Sequence, residues 1–183
     1  MIKPGAQLMS IEEYFRTEPG REVRHEYVHG HIYAMAGGSS THNRICANVV
    51  HLLVGLNLAH NKCRVYPSDM KLRIRDEKVY YPDAMVVCQG QLPNEFYETE
   101  PCLLVEVLSP STKDIDQREK ADVYRSLPSL QTYLIVDSVS RSVRRYWREG
   151  EEWRVMDYVQ DGVIPLPCLQ GEVSLEQIYR GIL

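Results

Sequence analysis

The sequence has no apolar run that approaches the ~18 residues of a membrane-spanning helix, so no membrane partner is expected. Its first residues, MIKPGAQLMSIEEYF, lack a basic region followed by an apolar region, and we therefore expect no export signal. Positive charge is not in excess either, because 21 lysines and arginines face 25 acidic residues and leave a net charge of −4. This balance argues against a protein-wide cationic field but leaves room for a local basic surface.

The cysteines are few and scattered. There are five of them, at positions 46, 63, 88, 102 and 168, and no two form a CxxC pair. An odd number without metal-ligand spacing is poor support for a disulfide framework or a zinc site. We expect buried thiols in a reducing cytoplasm.

Length and periodicity predict one domain spanning residues 1–183, with a mixed α/β fold. Helices are predicted near 11–15, 40–60, 113–126 and 175–179, a hairpin within 22–36, and strands near 63–66, 69–75, 84–88, 102–108, 132–137, 142–148 and 152–159. The order indicates a mixed β-sheet flanked by helices, with a crossover helix after residue 108.

Glu106 lies in the middle of the apolar segment CLLVEVL, residues 102–108. Side chains alternate along a strand, so Glu106 shares a face with Leu104 and Leu108. Burial disfavours an ionised carboxylate unless a cation compensates, and a bound metal is one such cation. The alternative is a frayed strand end at which Glu106 pairs with an arginine.

The helix that follows supplies a second candidate, Lys120. A crossover helix runs back antiparallel to its strand, and residues 113–120 descend about 10 Å at 1.5 Å per residue. Returning from Ser109 to Glu106 also descends about 10 Å at ~3.3 Å per residue, so Lys120 is expected level with Glu106. One helical stripe contains Lys113, Asp116, Gln117, Lys120 and Tyr124, and Ser111 with Asp114 is a candidate cap. A solvated charged surface is the alternative for the helix alone.

Asp83 is a further acid, placed after Pro82 at the entrance to the apolar segment 84–88. Proline is permitted at the start of a strand, although Pro-Asp alone is usually just a turn. Two acids and a lysine together suit metal-assisted hydrolysis, because carboxylates hold Mg²⁺ through oxygen. The metal activates water, and the lysine steadies the nucleophile or the scissile phosphate.

Several segments resemble the PD-(D/E)XK nuclease superfamily and, within it, the Uma-type restriction endonuclease family. They are YYPDAMVV, LLVEVLSPST, TYLIVD and the set Asp116, Lys120 and Tyr124, with RHEYVHGHIYAM and the His42-headed SSTHNRI upstream. The likeness covers nearly the whole chain. It departs at Leu108, where the superfamily usually has a lysine two positions after the second acid. In the Uma-type branch that lysine is displaced to the next helix, which Lys120 matches.

The resemblance implies a restriction-endonuclease-like fold and an endonuclease that hydrolyses phosphodiester bonds of DNA. It implies Mg²⁺ as cofactor, with Mn²⁺ as the alternative, and a homodimer that cuts both strands. Asp83 and Glu106 would be metal ligands, the Val107 carbonyl a third ligand, and Lys120 the catalytic cation. Glu26 matches the N-terminal acid that binds metal directly or through water, although an exposed strand glutamate is the alternative.

Two basic segments are candidates for contact with DNA phosphates. MKLRIRDEK places Lys71, Arg73 and Arg75 on one face of a strand, and SRSVRRYWREGEEWR adds further arginines. A solvated outer sheet face is the alternative for each segment. The rival function is a catalytically weak or inactive nuclease-fold module that binds nucleic acid or a protein partner, and an RNA-directed or structure-specific nuclease also stays open.

Overall fold

The computed structural model describes residues 8–108 and 116–183, with residues 116–118 described through their backbone only. The helices are α1 (Ile11–Thr17), α2 (Ser40–Leu58), α3 (Asp116–Arg125) and α4 (Leu175–Ile178). The strands are β1 (His25–Val28), β2 (His31–Ala34), β3 (Arg64–Pro67), β4 (Lys71–Ile74), β5 (Lys78–Tyr80), β6 (Ala84–Val87), β7 (Tyr97–Glu98), β8 (Leu103–Leu108), β9 (Thr132–Asp137), β10 (Ser142–Glu149), β11 (Glu152–Val159), β12 (Val163–Leu166) and β13 (Gly171–Ser174). In the ranges that the model describes, we find no helix with the length and apolar content that a membrane crossing requires.

A six-stranded mixed sheet in the order β11-β10-β9-β8-β6-β3 forms the centre of the fold. Strand β8 pairs in parallel with β9 and antiparallel with β6. A parallel pair needs a crossover connection, and α3 lies in it, as predicted. A second sheet has the order β2-β1-β5-β4-β7, and β12 pairs with β13. The predicted mixed α/β fold is therefore confirmed.

The core explains which way Glu106 faces. Leu103 and Val105 of β8 are fully buried in a cluster that includes Ile45 of α2. Leu104, one position out of phase, is buried in a second cluster with Tyr124 of α3. Because side chains alternate along a strand, Glu106 shares the α3 face with Leu104.

Most predicted elements are confirmed, and the missed ones are short. The Ser10 side chain caps α1 by accepting from the Glu13 N–H at 3.1 Å, and the hairpin turns at Gly30 with φ +88°. Strands β5, β7, β12 and β13 were not predicted, since they have four residues or fewer and β12 contains Pro165. The predicted cap at Ser111 and Asp114, and Lys113, lie outside the described residues.

The expectation of five free thiols is wrong for one pair, because Cys63 and Cys88 form a disulfide. Cys63 precedes β3 and Cys88 follows β6, and these strands pair antiparallel with Arg64 opposite Val87. The two cysteines therefore lie opposite each other at the end of the ladder. This register joins residues 25 positions apart and cannot be read from cysteine spacing. The remaining cysteines, Cys46, Cys102 and Cys168, are free.

Candidate active site

A cavity of about 310 Å³ lies where β1, β8, α2, α3 and the start of β6 meet. The predicted site residues Glu26, Asp83, Glu106, Val107 and Lys120 all line it. Their four charged side chains are between 13% and 18% exposed, so they are largely withdrawn from water yet reachable from the cavity. The structure thus brings the predicted catalytic and metal-binding residues together.

Asp83 and Glu106 meet because of the register between their strands. Ala84 of β6 pairs with Val105 of β8, and the next position of this antiparallel ladder places Asp83 opposite Glu106. The N–H of Val107, the residue after Glu106, donates a hydrogen bond to Asp83 Oδ2 at 2.7 Å. A charge-assisted hydrogen bond of this kind fixes the Asp83 carboxylate at the edge of the cavity.

His42 approaches Asp83 from the other side. Its Nε2 lies 3.3 Å from Asp83 Oδ2, and its backbone N–H is held by the Ser39 hydroxyl that caps α2. The hydrogen bond to Asp83 raises the pKa of His42 against the opposing effect of burial. A protonated His42 would form an ion pair with the Asp83 carboxylate at this distance.

Gly38 makes room for this histidine. A Cβ at position 38 would lie 2.5 Å from His42 Nδ1, closer than carbon and nitrogen can approach. The GGSS segment at 37–40 is therefore more than a connecting loop. Glycine next to a helix N-terminus was the available signal, but the sequence does not show which side chain needs the space.

Glu106 is held by two residues of α3. The Tyr124 hydroxyl donates to Glu106 Oε1 at 2.8 Å, and Lys120 Nζ lies 3.9 Å from the same oxygen. Burial raises the pKa of Glu106 to about 7; Lys120 opposes this shift, and the charges of Asp83 and Glu26 add to it. The predicted level match between Glu106 and Lys120 is confirmed. Tyr124 lies one helical turn beyond Lys120 on the predicted helix face, but its hydrogen bond to Glu106 was not predicted from the sequence.

Lys120 is paired more closely with Glu26 than with Glu106. Its Nζ donates to Glu26 Oε1 at 2.5 Å, and it also lies 5.2 Å from the centre of the Tyr80 ring. Burial lowers the pKa of Lys120, but the Glu106 and Glu26 carboxylates outweigh burial and raise it overall. Lys120 is therefore a permanent cation in the site, and Glu26 is not the exposed strand glutamate of the alternative interpretation.

The donor set fits a divalent metal with a preference for oxygen. Three carboxylates, from Glu26, Asp83 and Glu106, line the cavity with Lys120, Arg24 and His42, and Glu106 is left with its pKa raised to about 7. An added cation beside Glu106 would favour its ionised form. Carboxylate and carbonyl oxygens are the ligands of Mg²⁺ and Mn²⁺. Val107 also lines the cavity, where its carbonyl is a candidate further ligand.

Of the three basic residues predicted on one strand face, Lys71, Arg73 and Arg75, only the first two lie on a strand. Strand β4 ends at Ile74, so Arg75 falls in the following turn with φ +52° and is not on the strand face. Arg73 pairs with Asp76 at 2.6 Å, and Lys71 lies 5.2 Å from the Tyr81 ring at the border of the cavity. Their contact with DNA stays a prediction.

Arg24 is a basic residue of the cavity that the sequence interpretation missed. It lines the cavity, pairs with Asp69 at 2.7 Å and lies 5.6 Å from the Tyr81 ring. The second basic segment is only partly a solvated outer sheet face. Arg144 pairs with Asp157 at 2.7 Å across β10 and β11, whereas Arg145 is buried and lies 4.6 Å from the Trp147 ring. Contact of this segment with DNA stays a prediction.

Comparison with known proteins gives three findings. The sequence profile of the Uma2 family, described as "Putative restriction endonuclease", matches residues 11–177. The uncharacterized protein slr1290 of Synechocystis sp. is 34% identical over 177 residues, which cover 95% of this chain and 93% of that protein. The uncharacterized protein sll1609 of the same organism is 32% identical over 158 residues, covering 84% and 89%.

A solved structure extends the likeness to the fold. A crystal structure described as "a putative nuclease belonging to DUF820" from Anabaena variabilis superposes with a TM-score of 0.77. The match covers 96% of this chain and 99% of that one at 18% sequence identity. At this identity, the likeness is one of fold.

Proposed function

The chain belongs to the Uma2 family, described as "Putative restriction endonuclease", and from this premise we propose that it is a Mg²⁺-dependent endonuclease that hydrolyses phosphodiester bonds of DNA. The observation that carries the proposal is the meeting of Asp83, Glu106, Glu26 and Lys120 at one cavity. Glu106 has no cation of its own here, because the Lys120 ammonium lies 2.5 Å from Glu26 and 3.9 Å from Glu106, and a bound metal would supply the missing charge.

The residues divide into ligands and the groups that position them. Asp83 and Glu106 would hold the ion, with the Val107 carbonyl as a further ligand. The Val107 N–H fixes Asp83, and the Tyr124 hydroxyl fixes Glu106. Once bound, the metal would supply an acidified water as nucleophile and neutralise charge on a phosphoryl oxygen.

Lys120 would act on the substrate. Its ammonium stays charged at neutral pH and lies at the same cavity, where it would stabilise the negative charge that develops on the scissile phosphate. Glu26 anchors this ammonium at 2.5 Å and so sets its position relative to Glu106. Glu26 would bind metal directly or through water only if Lys120 moves away from it.

Cleavage assays on a substrate panel test the proposal. Wild type, Asp83→Asn and Glu106→Gln are incubated with Mg²⁺ or Mn²⁺ and supercoiled plasmid, single-stranded DNA or RNA. Glu172→Gln serves as the matched control, because Glu172 is an exposed acid on β13. We expect wild type and Glu172→Gln to nick or linearise plasmid and both site variants to lose this activity. Unchanged cleavage by Asp83→Asn and Glu106→Gln would overturn the proposal. Cleavage of RNA but not of DNA would show that the substrate is RNA.

A homodimer is proposed as the acting form, because two sites are needed to cut both strands of a duplex. Sedimentation at assay concentrations checks this directly. A monomer that only nicks plasmid would contradict the proposed dimer but not the proposed active site.

One observation favours the rival function, an inactive nuclease-fold module. The Lys120 ammonium is already neutralised by Glu26 at 2.5 Å, which is the arrangement of a structural ion pair. Metal binding that depends on Glu106, without turnover on any member of the substrate panel, would support this second candidate.

A further inference from the structure

Four cysteines meet at the end of the central sheet that lies away from the candidate active site. Cys63 precedes β3, Cys88 follows β6, Cys102 precedes β8, and Cys168 lies in the single-turn helix Pro167–Leu169. The sulfurs of Cys88 and Cys102 are 3.4 Å apart, and those of Cys88, Cys102 and Cys168 all lie within 4.8 Å of one another. Cys63 is joined to this group through its disulfide with Cys88.

This cluster is separate from the acidic cavity. Asp83 and Cys88 are at opposite ends of β6, and Glu106 and Cys102 are near opposite ends of β8. At ~3.3 Å per strand residue, the two groups are about 13–17 Å apart. The cluster therefore does not belong to the proposed nuclease site.

The four cysteines line a cavity of about 460 Å³, so the cluster can be reached by an ion. His60 and Lys62 line the same cavity and would favour thiolates, while Glu100 opposes them.

We propose that, when the disulfide is reduced, Cys63, Cys88, Cys102 and Cys168 form a tetrahedral site for one thiophilic divalent ion of the Zn²⁺ class. Zinc–sulfur bonds of about 2.3 Å in a tetrahedron place the sulfurs about 3.8 Å apart. The observed separations among the sulfurs of Cys88, Cys102 and Cys168, 3.4 Å for one pair and at most 4.8 Å for the others, bracket this value. The Cys63 sulfur is bonded to Cys88 and would have to move away from it once the disulfide is reduced. A structural disulfide needs two cysteines, whereas two further thiols at ligand distance are what a four-sulfur site requires.

Reduction controls the site in this proposal. A dithiol reductant transfers two electrons and two protons to the Cys63–Cys88 disulfide, which becomes two thiols while the reductant becomes a disulfide. Binding of the ion then releases the protons of the coordinating thiols to solvent. In the oxidised protein, only the thiols of Cys102 and Cys168 remain as ligands in the cluster, so the affinity is expected to fall.

Anaerobic titration with Co²⁺ tests the site, because thiolate coordination gives a charge-transfer absorption that oxygen ligands do not. Wild type is reduced with a phosphine and compared with the oxidised protein, Cys102→Ser and Cys168→Ser. Cys46→Ser is the control, because Cys46 lies against His42 and forms with His42 and Asp83 a separate group of ligand atoms.

We expect one Co²⁺ per reduced chain to bind with thiolate absorption and to be displaced by one Zn²⁺, and any Co²⁺ held by the oxygen ligands of the acidic cavity gives no such absorption. The absorption should be lost on oxidation, and the affinity should fall by at least about tenfold in Cys102→Ser and Cys168→Ser. Cys46→Ser should keep both the absorption and the affinity. Circular dichroism shows whether each variant is folded.

Three results would overturn the proposal. They are absence of thiolate absorption in folded, reduced wild type, retention of the wild-type affinity in folded Cys102→Ser and Cys168→Ser, and loss of the absorption in Cys46→Ser alone. If the serine variants do not fold, the comparison of reduced with oxidised wild type tests the proposal. Thiolate absorption that is equal in the two redox states would contradict the proposed ligand set. None of these outcomes depends on nuclease activity.

Discussion

The Lys120 ammonium donates a hydrogen bond to Glu26 Oε1 at 2.5 Å and so joins α3 to β1 across 94 positions of the chain. The same nitrogen lies 3.9 Å from Glu106 Oε1. Two carboxylates thus hold one buried cation at the edge of the cavity. The ammonium reduces the cost of burying each carboxylate, whereas the two carboxylates repel each other.

Replacing Lys120 with methionine should separate its catalytic role from metal binding. In Lys120→Met, we expect DNA cleavage to fall by about 10²–10³-fold, the range for losing one preorganised electrostatic group. At pH 9, where Glu106 is ionised, Mg²⁺ affinity should stay equal or rise, because a positive charge beside the ligands is removed. Lys78→Met on β5 is the control and should retain cleavage. Loss of Mg²⁺ affinity in parallel with cleavage would instead make Lys120 a residue that shapes the ligand site.

Removing the Tyr124 hydroxyl should change the pH dependence of metal binding. This hydroxyl favours the ionised form of Glu106, so Tyr124→Phe should raise the pKa of Glu106 further above about 7. The midpoint of Mg²⁺ binding should shift upward by about one pH unit, the equivalent of one hydrogen bond to a charged group. Isothermal titration between pH 6 and pH 9 measures the shift, with Tyr158→Phe on β11 as control. An unshifted midpoint contradicts the role given to Tyr124.

Glu106 should destabilise the metal-free protein at alkaline pH. Its folded pKa of about 7 is above the ordinary value of 4.5, so the folded state binds the proton more tightly. The contribution of this protonation to the free energy of unfolding is therefore complete below pH 4.5 and is lost as pH rises through about 7. At pH 8 and without metal, Glu106→Gln should exceed wild type in free energy of unfolding by about 3 kcal/mol.

Urea unfolding at pH 5 and pH 8 measures that difference, and added Mg²⁺ provides the second readout. Mg²⁺ should raise the unfolding free energy of wild type and leave that of Glu106→Gln unchanged. Equal stability of the two proteins at pH 8 would show that the burial of Glu106 is compensated without metal.

Gly38 and Gly37 offer a matched pair of substitutions. In Gly38→Ala, the new Cβ would lie 2.5 Å from His42 Nδ1, so the imidazole must leave Asp83. In Gly37→Ala, the Cβ meets no atom within 4 Å among the residues that the structure describes. We expect cleavage to fall about tenfold or more in Gly38→Ala, from loss of a hydrogen bond to a charged group, and to be unchanged in Gly37→Ala. Equal activity of both variants would show that the contact between His42 and Asp83 does not contribute to cleavage.

The sequence was most informative where local geometry decides position. Strand alternation and helix rise alone placed Lys120 level with Glu106, and the observed distance of 3.9 Å confirms this. Both residues belong to one strand–helix unit, so no distant pairing had to be known. Asp83 was proposed from its place at the entrance to the apolar segment 84–88, and the resemblance to the nuclease family supplied Glu26; both lie outside that unit.

What the sequence could not show depends on non-local register. Asp83 lies opposite Glu106 only because Ala84 pairs with Val105, and a shift by one residue would turn Asp83 to the other face. The Cys63–Cys88 contact has the same origin in the β3–β6 ladder. Arg75 was misplaced for a local reason, since β4 ends one residue before it and the turn takes over.

The most direct test is isothermal titration of Mg²⁺ into wild type, Glu106→Gln and the control Glu172→Gln at pH 8. If the buried carboxylate of Glu106 is a metal ligand, wild type and Glu172→Gln will bind Mg²⁺ with matching affinity and Glu106→Gln will show no heat of binding. Binding of Mg²⁺ by Glu106→Gln with the affinity of wild type would contradict the account, because Glu106 would then be a structural acid held by Lys120 and Tyr124.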